Sequence, residues 1–283
     1  MSLLWLNGTL TDKADARVSP FDHGFLYGDG VWEPLRVFGG KLFRADDHLR
    51  ILFAAAQAIG IDIPLSQAEL LAAVEATVKA NNRTEGYVRV IVTRGPGGIG
   101  PDPRKIEPHV IVIAEEYQPF PQELYGHGLH AVVSPLPLGL SYENPVYQVR
   151  TLNQLHVVHA KRYALQNGCL EAWYQGGDSI TGSTEGVLFA VKDGTVIVDI
   201  VQPEDAMGLV VRELAGNKLT VPERGFEWQW LLRDTDEVFI AGTACGVIGI
   251  VRVDGRDIGT GTEGPVTREI RDGYRQLIES ESR

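Results

Sequence analysis

The chain opens with Leu3-Leu4-Trp5-Leu6 before Asn7-Gly8, a strand running into a tight turn, because Asn-Gly takes positive φ at little cost. Val31 to Phe38 is a second apolar and aromatic run; Gly39-Gly40 breaks it and Lys41-Leu42-Phe43 resumes it, which predicts a hairpin. At Ala45 the period changes. Leu49, Leu52, Phe53 and Ala56 recur at helical spacing, with Asp46 or Asp47 as the expected N-terminal cap. Ser66 to Ala80 predicts a second amphipathic helix, and Ser66 with Glu69 has the spacing of a capping box. Tyr87 to Thr93 and His109 to Ala114 are β-branched runs separated by a Gly/Pro-rich loop, a strand pair. Glu115 to Gln122, with Pro119 and Pro121, has no period and reads as a linker. Beyond it come a strand at His130 to Val133 and a long helix at Asn153 to Gln166, stopped by Asn167-Gly168. Strands at Ala172 to Tyr174, Val187 to Val191 and Val196 to Asp199 follow, then a short helix at Gly208 to Leu214. Strands at Glu237 to Ala241 and Gly246 to Val253 precede a closing helix at Val266 to Leu277.

This order is α+β rather than a regular alternation, and no Gly-x-Gly-x-x-Gly follows the first strand, so a dinucleotide fold has no support. The expected division is a small N-terminal domain over residues 1–117, a linker over 118–128 and a larger C-terminal domain over 129–283. The 283 residues, 44% hydrophobic and 22% charged, can bury a real core. A formal net charge of -11 argues against nucleic acid and anionic membranes as partners. Two cysteines, Cys169 and Cys245, make no disulfide scaffold. The first residues lack the basic stretch and apolar run of a signal peptide, and no apolar stretch is long enough to span a membrane, so a cytoplasmic location is the default expectation.

Several motifs narrow this picture: Asp22-His23-Gly24-Phe25-Leu26-Tyr27-Gly28-Asp29-Gly30-Val31-Trp32-Glu33, then His48-Leu49, Tyr87-Val88-Arg89 and Thr93-Arg94-Gly95. In the second half come Thr151-Leu152-Asn153, Gly242-Thr243-Ala244, Val253-Asp254-Gly255 and Gly264-Pro265-Val266-Thr267. In this order and over nearly the whole chain they resemble the class IV aminotransferases. These are the fold-type IV pyridoxal-phosphate enzymes, which include branched-chain and D-amino-acid aminotransferases and aminodeoxychorismate lyase. The resemblance implies a two-domain architecture with a small N-terminal α/β domain and a larger C-terminal domain with a barrel-like sheet. It also implies a homodimer, with Phe25-Leu26-Tyr27 and Tyr87 as the expected contact.

The same resemblance locates what is missing. The family's Schiff-base lysine precedes Ser/Thr-x-Asn, and here Arg150 stands before Thr151-Leu152-Asn153. Arginine stays protonated, with a pKa above about 12, and supplies no imine-forming amine. The phosphate arginine after His-Leu-x is Ile51; Arg50, one residue off, reads as a solvated charge. The glutamate that pairs with the pyridine nitrogen falls on Gly182, with Glu185 as the only nearby carboxylate. The Gly-Ile-Thr phosphate loop reads Gly208-Leu209-Val210, whereas Thr243 is retained. Covalent pyridoxal phosphate is therefore expected to be absent. Lys161, on the helix after Arg150, is not expected to replace the missing lysine.

The substrate side, by the same resemblance, keeps Tyr27, Trp32, Tyr87, Arg89, Thr243 and Ala244, which suit a small amino, keto or chorismate-like carboxylate. Pro34 replaces a glycine beside the substrate, and Arg36 lies on the same hairpin. Cys245 is a candidate pocket thiol, with an inert buried cysteine as the commoner reading. His156 and His159 share a helix face without the further ligands a metal would need. Asp29 and Glu33 read as structural. Three functions stay open: binding or conversion of a small carboxylate without ordinary transamination, a non-catalytic regulatory homologue, and an active enzyme with noncovalent cofactor or another lysine.

Overall fold

The computed structural model describes residues 2–135, 149–198, 205–221 and 225–282. They form two compact units, one holding residues 2–117, 149–153 and 281–282, the other 118–135, 154–198, 205–221 and 225–280.

In the first unit, strands β1 (Leu3–Leu6), β2 (Thr9–Asp12), β3 (Gly30–Phe38), β4 (Lys41–Phe43), β5 (Gly86–Thr93) and β6 (His109–Glu115) make an antiparallel sheet in the order β2-β1-β6-β5-β3-β4. Helices α1 (His23–Tyr27), α2 (Ala45–Ala58) and α3 (Gln67–Ala80) belong to the same unit. The strand period of two decides which side is covered. Val31, Leu35 and Val37 of β3 are buried with Val88, Val90 and Val92 of β5 against Leu49 and Leu52 of α2 and Leu70 and Val74 of α3. Each fully buried aliphatic side chain contributes about 1.5–3 kcal/mol. Glu33 lies in the same phase as Val31 and Leu35, so the sequence forces a carboxylate into this core.

The capping box is present as the spacing predicts: Ser66 accepts from Glu69 N, and Glu69 accepts from Ser66 N at 2.8 Å. The expected cap of α2 is corrected. Its N-cap is Arg44, in the left-handed region at φ 52° with no side-chain cap bond. Only Arg44 separates β4 from α2, so Asp46 and Asp47 fall within the first helical turn, where their charge favours the helix dipole instead.

In the second unit the strands are β7 (Leu129–Val133), β8 (Glu171–Gly176), β9 (Ser179–Ser183), β10 (Val187–Lys192), β11 (Thr195–Val198), β12 (Leu219–Thr220), β13 (Phe226–Glu227), β14 (Glu237–Gly242), β15 (Gly246–Val253) and β16 (Arg256–Asp257). They run β12-β11-β10-β14-β15-β7-β8-β9-β13, with β16 on β15. Helices α4 (Leu124–His127), α5 (Leu155–Gln166), α6 (Ala206–Ala215), α7 (Trp228–Arg233) and α8 (Pro265–Glu281) accompany them. Phe120, Trp173, Leu188, Phe226 and Ile248 are buried in one core; Ala160 and Ala164 of α5 pack on Ala172 and Tyr174 in another. The end of the strand expected at Val196 to Asp199 lies outside the described residues at Asp199. Residues 118–128, read as a linker, contain α4 and bury Phe120. Among the described residues no helix is long and apolar enough to cross a membrane, and none of their His, Cys, Asp and Glu side chains form a metal-binding group.

Candidate functional site

In the first unit the site is built where residues 149–153 lie antiparallel along the start of β3. Trp32 N donates to Arg150 O at 3.0 Å, Leu152 N donates to Gly30 O at 3.0 Å, and Val31 bridges Thr151. The Asn153 side chain donates to Gly28 O at 3.1 Å. Gly28 caps α1 in the left-handed region at φ 69°, and any Cβ there would collide with the Asn153 amide. Further along the same edge, β4 pairs Arg36 to Phe38. Pro34 falls in the gap between these two partners, where its missing N–H leaves no ladder bond unmade.

This docking places the Arg150 guanidinium on Glu33. Arg150 Nη1 donates to Glu33 Oε2 at 3.1 Å, and the other carboxylate oxygen, Oε1, lies 2.7 Å from His48 Nδ1. Glu33 and His48 are each only 1% exposed. A carboxylate this deep is tolerable because both oxygens are engaged and one partner is a permanent cation. Asp29 is likewise structural, held by Arg94 at 2.9 Å and 3.0 Å.

On the opposite face of β3 and β5, the Arg89 guanidinium stacks 4.2 Å from the Trp32 ring centroid and donates to the Tyr87 hydroxyl at 3.3 Å. Arg150 lies 5.8 Å from the same indole. Arg89 is exposed, and among the described residues no carboxylate pairs with it. Trp32 Nε1 is buried without a hydrogen-bond partner. Trp32, Tyr87 and Arg89 thus form one group. Tyr27 is not part of it; its ring packs edge-on against His23 at 5.0 Å.

In the second unit, Gly182 on β9 sits directly across from Tyr174 on β8. The Tyr174 ring is buried against α5, with His156 edge-on at 5.6 Å, and its hydroxyl has no partner. Burial, with Glu171 and Glu185 nearby, raises the Tyr174 pKa well above the usual phenol range. Glu185 accepts from Lys161 Nζ at 2.7 Å, and Lys161 also donates to Leu170 O at 2.6 Å. Glu171 is fully buried. Its Oε1 accepts from Ala172 N at 3.0 Å, Thr184 N at 2.7 Å and Thr184 Oγ1 at 2.6 Å, whereas Oε2 has no partner. Burial raises this carboxyl from 4.5 to about 7. Cys245 is 1% exposed, and its Sγ lies 3.4–3.8 Å from the carbonyl oxygens of Gly246, Glu185 and Gly242. Burial, with Glu185 and Glu171, pushes the thiol well above its ordinary value, which keeps it protonated. Thr243 Oγ1 is buried without a partner, on the turn with Ala244 between β14 and β15. His159 is exposed on α5.

Asp205, 3% exposed, caps α6: its Oδ1 accepts from Met207 N at 2.7 Å and Gly208 N at 3.2 Å. The next amide, Leu209 N, donates to Asp205 O at 3.1 Å. Val210 is buried inside the helix.

The family model for class IV amino-transferases matches residues 30–253, most of the chain. The chain belongs to the class IV aminotransferase family. It is 35% identical to a putative branched-chain-amino-acid aminotransferase of Methanocaldococcus jannaschii, over 97% of this chain and 96% of that protein. It is 28% identical to a D-alanine aminotransferase of Staphylococcus haemolyticus over the full length of both. Among solved structures, branched-chain amino acid aminotransferase of Escherichia coli matches with a TM-score of 0.92 at 26% identity, covering 100% of this chain and 96% of that one. A 4-amino-4-deoxychorismate lyase of Pseudomonas aeruginosa matches with a TM-score of 0.83 at 25% identity, covering 97% and 98%. The fold is therefore the α+β, fold-type IV aminotransferase architecture with two sheets.

Arg150, expected at the lysine position, is in the first unit on Glu33, and Ile51 is 7% exposed within α2. Arg50 is a surface residue 3.8 Å from Asp47. Sequence reading missed His48, Glu171 and Tyr174. Only Glu33 left a readable signal, a carboxylate in the buried phase of a strand, which demands a cationic partner.

Proposed function

We propose that this class IV aminotransferase homologue binds a small organic carboxylate without forming a covalent pyridoxal-phosphate adduct. One observation carries the reading: the residue at the lysine position is a guanidinium committed to a buried carboxylate. Arg150 supplies no amine for an imine, and its removal would leave Glu33 with His48 alone in an apolar core.

Further observations support the mismatch with the cofactor. Gly182 provides no carboxylate for a pyridine nitrogen, and the strand position across from it holds a buried tyrosine ring. Glu185, the alternative carboxylate, is tied to Lys161, which is in turn the alternative lysine. The amide of Leu209 is spent inside α6 rather than open to a phosphate. Of the family's cofactor positions, Thr243 alone keeps an unpartnered polar atom. The residues present therefore do not fit the cofactor.

The carboxylate reading rests on Arg89, an exposed guanidinium braced by Trp32 and Tyr87 with no acidic partner among the described residues. A planar guanidinium held over an indole is pre-positioned for bidentate carboxylate recognition. The test is calorimetric titration of amino and keto acids into wild type and Arg89→Ala, beside an absorbance spectrum with pyridoxal phosphate before and after borohydride. Carboxylate binding lost at least about tenfold in Arg89→Ala, with no reducible imine band, is the expected result. A lysine labelled after borohydride reduction refutes the reading.

A further inference from the structure

We propose that Arg150 is a positioning residue of the carboxylate site: through Trp32 it steadies the indole over which Arg89 lies. The inference rests on the reading of a carboxylate-binding protein and deepens it by giving Arg150 a part in ligand binding.

The geometry starts at the edge of β3. Successive strand side chains point to opposite faces, so Glu33 enters the core and Trp32 lies on the other face. Arg150, docked along that edge, is tied to both. Its backbone oxygen accepts from Trp32 N at 3.0 Å, and its Nη1 donates to Glu33 Oε2 at 3.1 Å. The same guanidinium lies over the Trp32 ring, 5.8 Å from the centroid, inside the roughly 6 Å reach of a cation–π contact. Glu33 is itself held in place: it is 1% exposed, and its other oxygen lies 2.7 Å from His48 Nδ1. A line of contacts therefore runs from a buried ion pair to an indole on the opposite face of the strand.

The indole needs such a support. Trp32 Nε1 is buried and makes no hydrogen bond, so no directional side-chain bond fixes the ring. Two guanidiniums lie over it, Arg89 at 4.2 Å and Arg150 at 5.8 Å. They differ in charge balance. Arg150 is paired with Glu33, whereas Arg89 has no carboxylate among the described residues. Arg150 thus steadies the ring, and Arg89 keeps its charge for an incoming carboxylate. A ring free to tilt would carry Arg89 with it and loosen the pre-organised bidentate geometry. A lysine at 150 would keep a charge on Glu33, but a compact ammonium spans the carboxylate and the indole less well than a guanidinium.

The experiment is calorimetric titration of pyruvate into the whole chain and its variants. The paired substitution Glu33→Gln with Arg150→Gln removes both charges together, so no ion is stranded in the core. It should weaken pyruvate binding about three- to fivefold, the worth of one cation–π contact, with Arg150→Lys intermediate. In a Trp32→Leu background the same pair should change nothing further, because Arg150 acts through the indole; Trp32→Met takes its place if the leucine variant does not fold. No loss in the paired variant, or a loss of the same size with and without the indole, overturns the proposal. A ligand-free readout stands beside it: fluorine NMR of protein labelled with fluorotryptophan, with the Trp32 signal identified by its absence from Trp32→Leu. That signal should shift in the paired variant, and an unmoved signal overturns the inference. Pyruvate binding that is absent, or that Arg89→Ala leaves intact, counts against the carboxylate reading instead, and the fluorine signal then decides this inference by itself.

Discussion

Glu171 should make the second unit less stable as pH rises through neutrality, and Glu171→Gln should abolish that dependence. The carboxyl is fully buried, three donors converge on Oε1, and Oε2 is unpartnered, so the proton of the neutral form resides on Oε2. Burial raises its folded pKa to about 7 against an unfolded value of 4.5; Thr184 and Lys161 counter this in part, and Glu185 adds to it. A raised folded value gives stability that is complete below the unfolded pKa and is lost as pH climbs through the folded one. Between these limits the folded state holds a proton that the unfolded state has released, so unfolding becomes easier with each step in pH. Taking the carboxyl from 4.5 to about 7 corresponds to about 3 kcal/mol across the window.

Glutamine keeps the shape and an oxygen for the three donors, but buries an amide NH2 where Oε2 stood, at a cost of about 1 kcal/mol. The variant should therefore be slightly less stable than wild type at acidic pH and more stable by about 1–2 kcal/mol at mildly alkaline pH. Urea unfolding followed by fluorescence of the second unit's tryptophans, Trp173, Trp228 and Trp230, measures both proteins across this range. The wild-type-minus-variant difference cancels the other titrating groups. A difference that stays flat from acid to alkaline pH, or that grows in wild type's favour as pH rises, refutes the reasoning.

Three further substitutions test other parts of the structure. Arg150→Ala leaves Glu33 buried with only His48 and should lower first-unit stability by about 3–5 kcal/mol in urea unfolding, whereas Arg89→Ala, on the exposed face, should cost under about 1 kcal/mol. Ser66→Ala removes one arm of the capping box and should destabilise α3 by about 1 kcal/mol, read as faster hydrogen exchange in its first turn.

Much of the fold was legible because long elements repeat their signals. The hairpin of β3 and β4, α3 with its cap, α5, and the pair β14 and β15 all emerged from period and turn chemistry. The elements that were missed are short or carry few apolar residues. Helix α1 is His-Gly-Phe-Leu-Tyr and has no amphipathic repeat; it exists because Asp22 caps Gly24 N and Gly28 closes it. Strand β9, Ser-Ile-Thr-Gly-Ser, has one large apolar side chain, and its partners on β8 and β13 hold it in place.

The candidate site divides along the same line. A motif can show that arginine stands where lysine is expected, since that needs only neighbours in sequence. It cannot show whether the position is vacant or rebuilt, because the answer lies in partners distant in the chain. Glu33 is 117 residues from Arg150, and Glu185 is 24 from Lys161. With both partners in view, these positions are tied to their surroundings: a cation is locked to a buried carboxylate, a buried tyrosine lies across from Gly182, and a carboxylate caps a helix terminus. Arg150→Lys would therefore place an amine that Glu33 holds as an ammonium, and would leave Ile51, Gly182 and the capped α6 unchanged. One substitution changes one of these positions, so it should not by itself create an imine-forming lysine.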